Sequence, residues 1–169
     1  LFVSCPFGIE NLLEQEIRVL ELWLVRPSQS GVHVHTDLRG AYQICLWSRL
    51  ANRVLLLLGE VSVESADQLY TGVLAIPWLN HLRPNGSLTV DFNGSNQAIK
   101  NTHFGSLKVK DAIVDKIRHE TGTRPSIDKK RPDLRVNVHL RRNRAQIAID
   151  LSGESLHRRG YRRATGGAP

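Results

Sequence analysis

Apolar and polar residues alternate along Leu134–Leu140 and again along Ala145–Leu151. Leu134, Val136, Val138 and Leu140 fall on one side, and Arg135, Asn137, His139 and Arg141 on the other, the period of two that marks a half-buried strand. Ala145, Ile147, Ile149 and Leu151 repeat the pattern after a turn around Asn143, so the pair reads as a hairpin. Nearer the start of the chain the period changes. Leu1–Ser4 reads as a short strand, and Ile9, Leu12, Leu13, Glu16, Ile17 and Leu20 recur at helical spacing after Gly8. Leu22–Val25 and Val32–Thr36 read as strands parted by a turn over Pro27–Gly31. Leu38–Ser48 reads as a helix capped by Asp37, and Arg53–Val63 as a long strand. Strand–helix–strand, twice over in about 60 residues, predicts a ferredoxin-like unit and divides the chain near its end.

Beyond the division, Asp67–Trp78 reads as a helix stopping near Pro77, and Ser87–Phe92 as a strand ending in an Asn93–Gly94 turn. Thr102 is placed to cap a helix running to about Thr121 and closed by Gly122, with Val109, Ala112, Ile113 and Ile117 on its inner face. A loop from Arg124 to Pro132 leads into the hairpin. The fold class is therefore α/β (α+β), a ferredoxin-like subdomain followed by a second small α/β layer. No internal repeat or low-complexity tract occurs.

Charge changes the picture most. The 169 residues carry a net +7, but residues 1–99 hold 6 of the 23 Lys and Arg and 9 of the 16 Asp and Glu, a net −3. The remaining residues carry +10. Such asymmetry points to a polyanion on the second half, and leaves residues 1 to about 60 as a spacer with a poor RNA surface. The cations cluster in Asp128-Lys-Lys-Arg131, around the turn at Arg141, Arg142 and Arg144, and in the exit segment Arg158, Arg159, Arg162 and Arg163. The hairpin and its flanking strands are expected to place these three groups on one rim. The competing reading of the turn is an edge hairpin guarded by charge. Lys108 lies with Asp111 and Asp115 on a solvated helix face, whereas Lys110 borders the apolar stripe and is the one expected to be held in place. Only Phe104 and Tyr161 are aromatic in the basic half, which favours backbone and shape recognition of structured RNA over base stacking.

Catalytic signals are sparse. Gly166-Gly167 lacks the strand and helix that flank a phosphate-cradling loop. His33 and His35 alternate on one strand with no ligand set beside them, so no metal is expected. His103 reads as a polar or RNA-facing group. Cys5 and Cys45, without CxxC spacing, read as reduced thiols of a cytoplasmic protein. The longest apolar run, Val54–Leu58, is strand-sized, so no membrane partner is expected. The absence of any Met reads as a piece of a longer polypeptide.

Asn101-Thr-His-Phe-Gly-Ser-Leu-Lys-Val-Lys-Asp-Ala-Ile-Val-Asp115, Pro132-Asp-Leu-Arg-Val136 and Asp150-Leu-Ser-Gly-Glu-Ser-Leu-His-Arg-Arg-Gly-Tyr-Arg162 together resemble the THUMP module of RNA-modifying enzymes. With the Leu1–Gly8 start and Tyr42-Gln-Ile-Cys-Leu-Trp-Ser-Arg-Leu-Ala-Asn-Arg53, the whole chain is similar to the amino-terminal part of the bacterial 23S ribosomal RNA guanine-N2 methyltransferase family. The resemblance implies a ferredoxin-like subdomain over 1–59, a THUMP module over 60–152 (roughly 40–152 in a broader definition), and a linker over 153–169. It further implies that structured RNA, 23S rRNA in particular, is the partner, and that S-adenosyl-L-methionine is held by a domain outside this chain. The chain alone should then be inactive. The expected RNA-binding residues are Lys110, Lys129, Lys130, Arg131, Arg135, Arg141, Arg142, Arg144, Arg158, Arg159, Arg162 and Arg163. A THUMP module of a tRNA-modifying enzyme, or a basic domain meeting an acidic protein, are the alternatives.

Overall fold

The computed structural model describes residues 1–22 and 24–158. They divide into two units, the first built from Leu1–Leu55 with the return segment 151–158, the second from Leu56–Asp150.

Unit 1 runs β1 (Phe2–Ser4), α1 (Glu10–Arg18), β2 (Leu24–Ser28), β3 (Gly31–His35), α2 (Leu38–Trp47) and the opening residues of β4 (Arg53–Ser62). Its strands lie in the order β2-β3-β1-β4, with every neighbouring pair antiparallel. This is the ferredoxin-like arrangement the pattern predicts. Its core is Val3, Leu13, Ile17, Val25, Val32, Val34, Ala41, Ile44 and Val54. Asp37 caps α2 as expected, its carboxylate accepting from the Gly40 amide at 2.8 Å. Glu16 on α1 accepts from Ser48 Oγ (2.5 Å) and from the Arg49 amide (2.8 Å), fixing the chain where it leaves α2. The turn expected over Pro27–Gly31 is shorter, because Pro27 and Ser28 lie in β2 and only Gln29–Ser30 turn. Pro27 is tolerated because β2 is an outer strand, where a missing N–H leaves no ladder bond unmade. The return segment is held by hydrogen bonds from the Leu151 amide to Val54 O (2.9 Å) and from the Leu156 amide to Asn52 O (2.9 Å).

Unit 2 takes the rest of β4, then α3 (Ala66–Leu74), a 3₁₀ turn (Trp78–Asn80), β5 (Ser87–Asn93), α4 (Thr102–Thr121), β6 (Ser126–Ile127), β7 (Leu134–Arg141) and β8 (Arg144–Asp150). The strand order is β4-β8-β7-β5-β6. β5 is parallel to both β6 and β7, and β7 antiparallel to β8. α4 is the crossover that parallel β5 and β6 require, and it packs on α3 and β5. Its expected inner face is fully buried, as are Leu69, Val73 and Trp78.

Several local expectations change. The helix from Asp67 stops at Leu74 rather than near Pro77, because a residue before proline is pushed out of the helical region; Trp78 instead sits in the 3₁₀ turn, its indole N–H donating to Val73 O at 2.8 Å. Asn101, not Thr102, caps α4, its side chain accepting from the His103 amide at 2.7 Å. Gly122 closes the helix at φ 73° as expected. β6 lies inside the segment read as a loop; two residues carry no periodicity, and backbone pairing with β5 alone defines them. β8 is not half-buried, since Ala148 and Asp150 are buried along with Ala145, Ile147 and Ile149. β8 lies between β4 and β7, so the β7–β8 hairpin is internal to the sheet rather than an edge.

Candidate nucleic-acid interface

The topology of unit 2 sorts its cations into two ends. Because β5, β6 and β7 are parallel, their starting residues Ser87, Ser126 and Leu134 lie together, with the loops that lead into them. Those loops carry Arg83, Arg124, Lys129, Lys130 and Arg131, all exposed. The β7–β8 turn lies at the opposite end and carries Arg141, Arg142 and Arg144. Seven residue steps of β7 at about 3.3 Å each separate the ends by about 23 Å. The expected single rim therefore does not form. Arg158 is exposed on the return segment of unit 1, and Arg159, Arg162 and Arg163 lie outside the described residues.

The starting end is tightly braced. Gly86 N donates to Arg83 O (2.9 Å), Ser126 N to Gly86 O (3.0 Å) and Asp128 N to Leu88 O (3.2 Å). Asp128 accepts from the Lys130 and Arg131 amides at 2.8 and 3.0 Å. Asp133 accepts from the Ser87 amide and hydroxyl, both at 2.8 Å. Amide donors hold both carboxyls below their ordinary pKa, those of Arg131 and Lys130 at Asp128 and that of Ser87 at Asp133. The two acids are thus directed onto backbone, and neither forms an ion pair with a cation of these loops among the described residues.

The turn end is fastened differently. The Val63 amide donates to Asn143 O at 2.8 Å. Asn96 Nδ2 donates to Val63 O (2.7 Å) and to Asn143 Oδ1 (3.3 Å), while its Oδ1 accepts from the Ala98 and Ile99 amides at 2.9 and 2.7 Å. Gly94, at φ 94°, lies against the Leu140 carbonyl so closely that a Cβ would stand 1.9 Å from its oxygen. Arg142 occupies the turn at φ 55°, a left-handed conformation unusual for a side-chain-bearing residue. The end of β4, the β5–α4 loop and the turn are thereby locked into one piece that projects Arg141 and Arg142.

Three expected contacts are already engaged by acids. Arg135, 20% exposed, pairs with Asp91 at 3.0 Å. Arg144 pairs with Glu60 at 2.6 Å, and Lys110 with Asp111 at 2.7 Å. Lys108, expected on a merely solvated face, pairs with Asp67 at 3.7 Å and lies 5.9 Å from the centre of the Tyr70 ring. Lys129, Lys130, Arg131, Arg141 and Arg142 have no ion pair among the described residues. Arg83 and Arg124 join them only through the fold; as isolated cations they give no signal in the sequence.

Among the described residues no group of three His, Cys, Asp or Glu could hold a metal ion, and no helix is long and apolar enough to cross a membrane. The His33 and Phe2 rings meet at a 55° tilt with centroids 5.1 Å apart, and burial lowers the His33 pKa. An open groove of about 630 Å³ beside β4 and α3, lined by Glu60, Ser62, Asp67 and Gln68 among others, contains no His or Cys.

Residues 63–150, just over half of the chain, match the THUMP domain model. The chain belongs to the THUMP family. Residues 1–55 match the RlmL ferredoxin-like domain, in agreement with the strand order of unit 1. The ribosomal RNA large subunit methyltransferase K/L of Cellvibrio japonicus is 55% identical over 99% of this chain, which spans 22% of that relative's length. Among solved structures, SMU.472 complexed with SAH superposes with a TM-score of 0.86 at 25% identity, over 96% of this chain and 44% of that one. A possible methylase from Clostridium difficile 630 gives 0.84 at 26%, over 96% and 43%.

Proposed function

We propose that this THUMP-family chain is the RNA-binding, substrate-positioning region of an S-adenosylmethionine-dependent 23S ribosomal RNA guanine-N2 methyltransferase acting in the cytoplasm. The observation that carries the reading is the 55% identity, across nearly the whole chain, to a relative named as a large-subunit ribosomal RNA methyltransferase. The unpaired cations of unit 2 supply the physical means, since Lys and Arg on phosphates release counterions and draw RNA without reading its sequence.

The β5–α4 junction does not fit S-adenosylmethionine. A cofactor loop between a strand and a helix needs glycines with open space above them. At the β5–α4 junction the single glycine, Gly94, has that space filled by the Leu140 carbonyl. The SAH complex of SMU.472, which extends well beyond the part matched here, supports a cofactor site on another domain. The division of labour follows from the chemistry. The exocyclic amine of guanine is a weak nucleophile, so transfer depends on holding it in line with the methyl donor. Gripping the RNA at a distance from the reacting atoms is how this region contributes.

Titrating a fluorescein-labelled 23S rRNA fragment with the 169-residue chain tests the reading. Binding whose affinity falls steeply with salt is expected, and absence of binding at low salt overturns it. Calorimetric titration with S-adenosylmethionine should give no saturable heat; micromolar saturation would place the cofactor site on this chain.

A further inference from the structure

We infer that unit 2 grips RNA through two sets of phosphate contacts about 23 Å apart, one at each end of β7, and that Arg83 and Arg124 belong to the larger of the two. The inference rests on the RNA-binding reading above and gives it a geometry.

Three observations carry it. First, parallel β5, β6 and β7 collect three loops at one end, so Arg83, Arg124, Lys129, Lys130 and Arg131 share a surface although 48 positions separate the first from the last. Second, the carboxylates within those loops, Asp128 and Asp133, are spent on the amides of Lys130, Arg131 and Ser87. They brace the loops, and among the described residues none of the five cations forms an ion pair, Arg83 and Arg131 acting on Asp133 and Asp128 only through space. Third, the turn end keeps fewer unpaired cations, because Glu60 engages Arg144 and Arg141 and Arg142 remain. Both ends are rigidly built, by backbone bonds between loops at one and by Asn96 at the other. Two braced sets of cations separated by a strand length suit a folded RNA that presents two runs of backbone. An acidic peptide would be satisfied by either end alone.

The test compares the wild-type chain with Arg83→Ala/Arg124→Ala, Arg141→Ala/Arg142→Ala and the fourfold variant, using a fluorescein-labelled RNA hairpin with a stem of about 16 base pairs. Each phosphate contact contributes a slope of about −0.7 to −0.9 in log affinity against log salt. Loss of two contacts should therefore make the affinity ratio between 50 and 200 mM salt shallower by about 7- to 12-fold. Each pair should show that change, the fourfold variant should show the product, and the complex should be one RNA to one protein. If wild type binds but the Arg83/Arg124 pair leaves affinity and slope unchanged, this inference fails and RNA binding stands. A ratio of two RNAs per protein, or displacement of the RNA by polyglutamate at equal charge, also overturns it. If wild type does not bind at low salt, the underlying reading fails.

Discussion

Asn96 holds three segments of unit 2 together, and replacing it by alanine should cost more than its half-exposed position suggests. Its amide donates to Val63 O and accepts from the backbone of Ala98 and Ile99, three bonds of 2.7 to 2.9 Å. Alanine leaves one carbonyl and two amides without these partners, and Ile99 is fully buried, so water reaches its amide poorly. At about 0.5–1.5 kcal/mol net for each bond, the expected loss is about 1.5–4.5 kcal/mol. For a chain of this size that lowers Tm by roughly 3–18 °C. Asn96→Asp keeps both acceptor bonds but loses the donations to Val63 O and Asn143 Oδ1 and sets a carboxylate oxygen against both, so it too should be less stable than wild type. Urea unfolding monitored by circular dichroism and by tryptophan fluorescence reads the difference, Trp78 lying in the core of the same unit. A loss below about 0.5 kcal/mol for Asn96→Ala would show that the loop and the turn are held by something else.

The other expectations are narrower. Gly94→Ala should destabilise by at least about 2 kcal/mol, since the new Cβ meets Leu140 O and the backbone sits at positive φ; a smaller loss in urea unfolding would mean that the hairpin shifts freely. Arg142→Gly should leave stability unchanged or raise it by up to about 1 kcal/mol, relief of the left-handed strain outweighing the added chain entropy; a clear loss in the same assay would refute the strain. Acidification should weaken the fold in two stages. Burial lowers the His33 and His81 pKa values, so protonation favours the unfolded chain as pH falls below 6.5. Asp128 and Asp133, held below their ordinary 3.8, add stability that is present above that value and lost as pH falls through their lowered values. Urea midpoints measured from pH 7 to 3 should show both stages, with Asp133→Asn flattening the second; a flat profile would contradict them.

The elements that bury a periodic face were legible in the sequence. Val109, Ala112, Ile113 and Ile117 mark the inner side of α4, and Leu134, Val136, Val138 and Leu140 that of β7, because burial and periodicity are the same fact seen twice. Elements defined by hydrogen bonding or by neighbours were not. β6 exists because β5 offers an edge, and β8 is internal because β4 pairs with the edge that β7 leaves open. The cap of α4 moved by one residue for a similar reason, since Asn101 and Thr102 are both capping types and only the backbone conformation decides between them.

The candidate interface was legible as composition and not as geometry. A run such as Lys129-Lys130-Arg131 announces itself, whereas Arg83 and Arg124 acquire a role only when parallel strands draw their loops together. The reverse holds for Arg135 and Arg144, which look equal to Arg141 and Arg142 in the sequence but have Asp91 and Glu60 across the sheet. A cation paired with a carboxylate must give up that partner, or share it, before it can neutralise a phosphate, so its contribution to RNA affinity is reduced by whatever the pair contributes. For an exposed pair such as Arg144–Glu60 that is at most about 1 kcal/mol, small enough that Arg144 can exchange partners when RNA arrives. Arg135 is less exposed, with its guanidinium facing Asp91, and has further to move. The two arginines should therefore separate experimentally, Arg144→Ala flattening the salt dependence of RNA binding and Arg135→Ala changing stability instead. Equal effects of the two on the salt slope would mean that strand pairing does not decide which cations are available to the RNA.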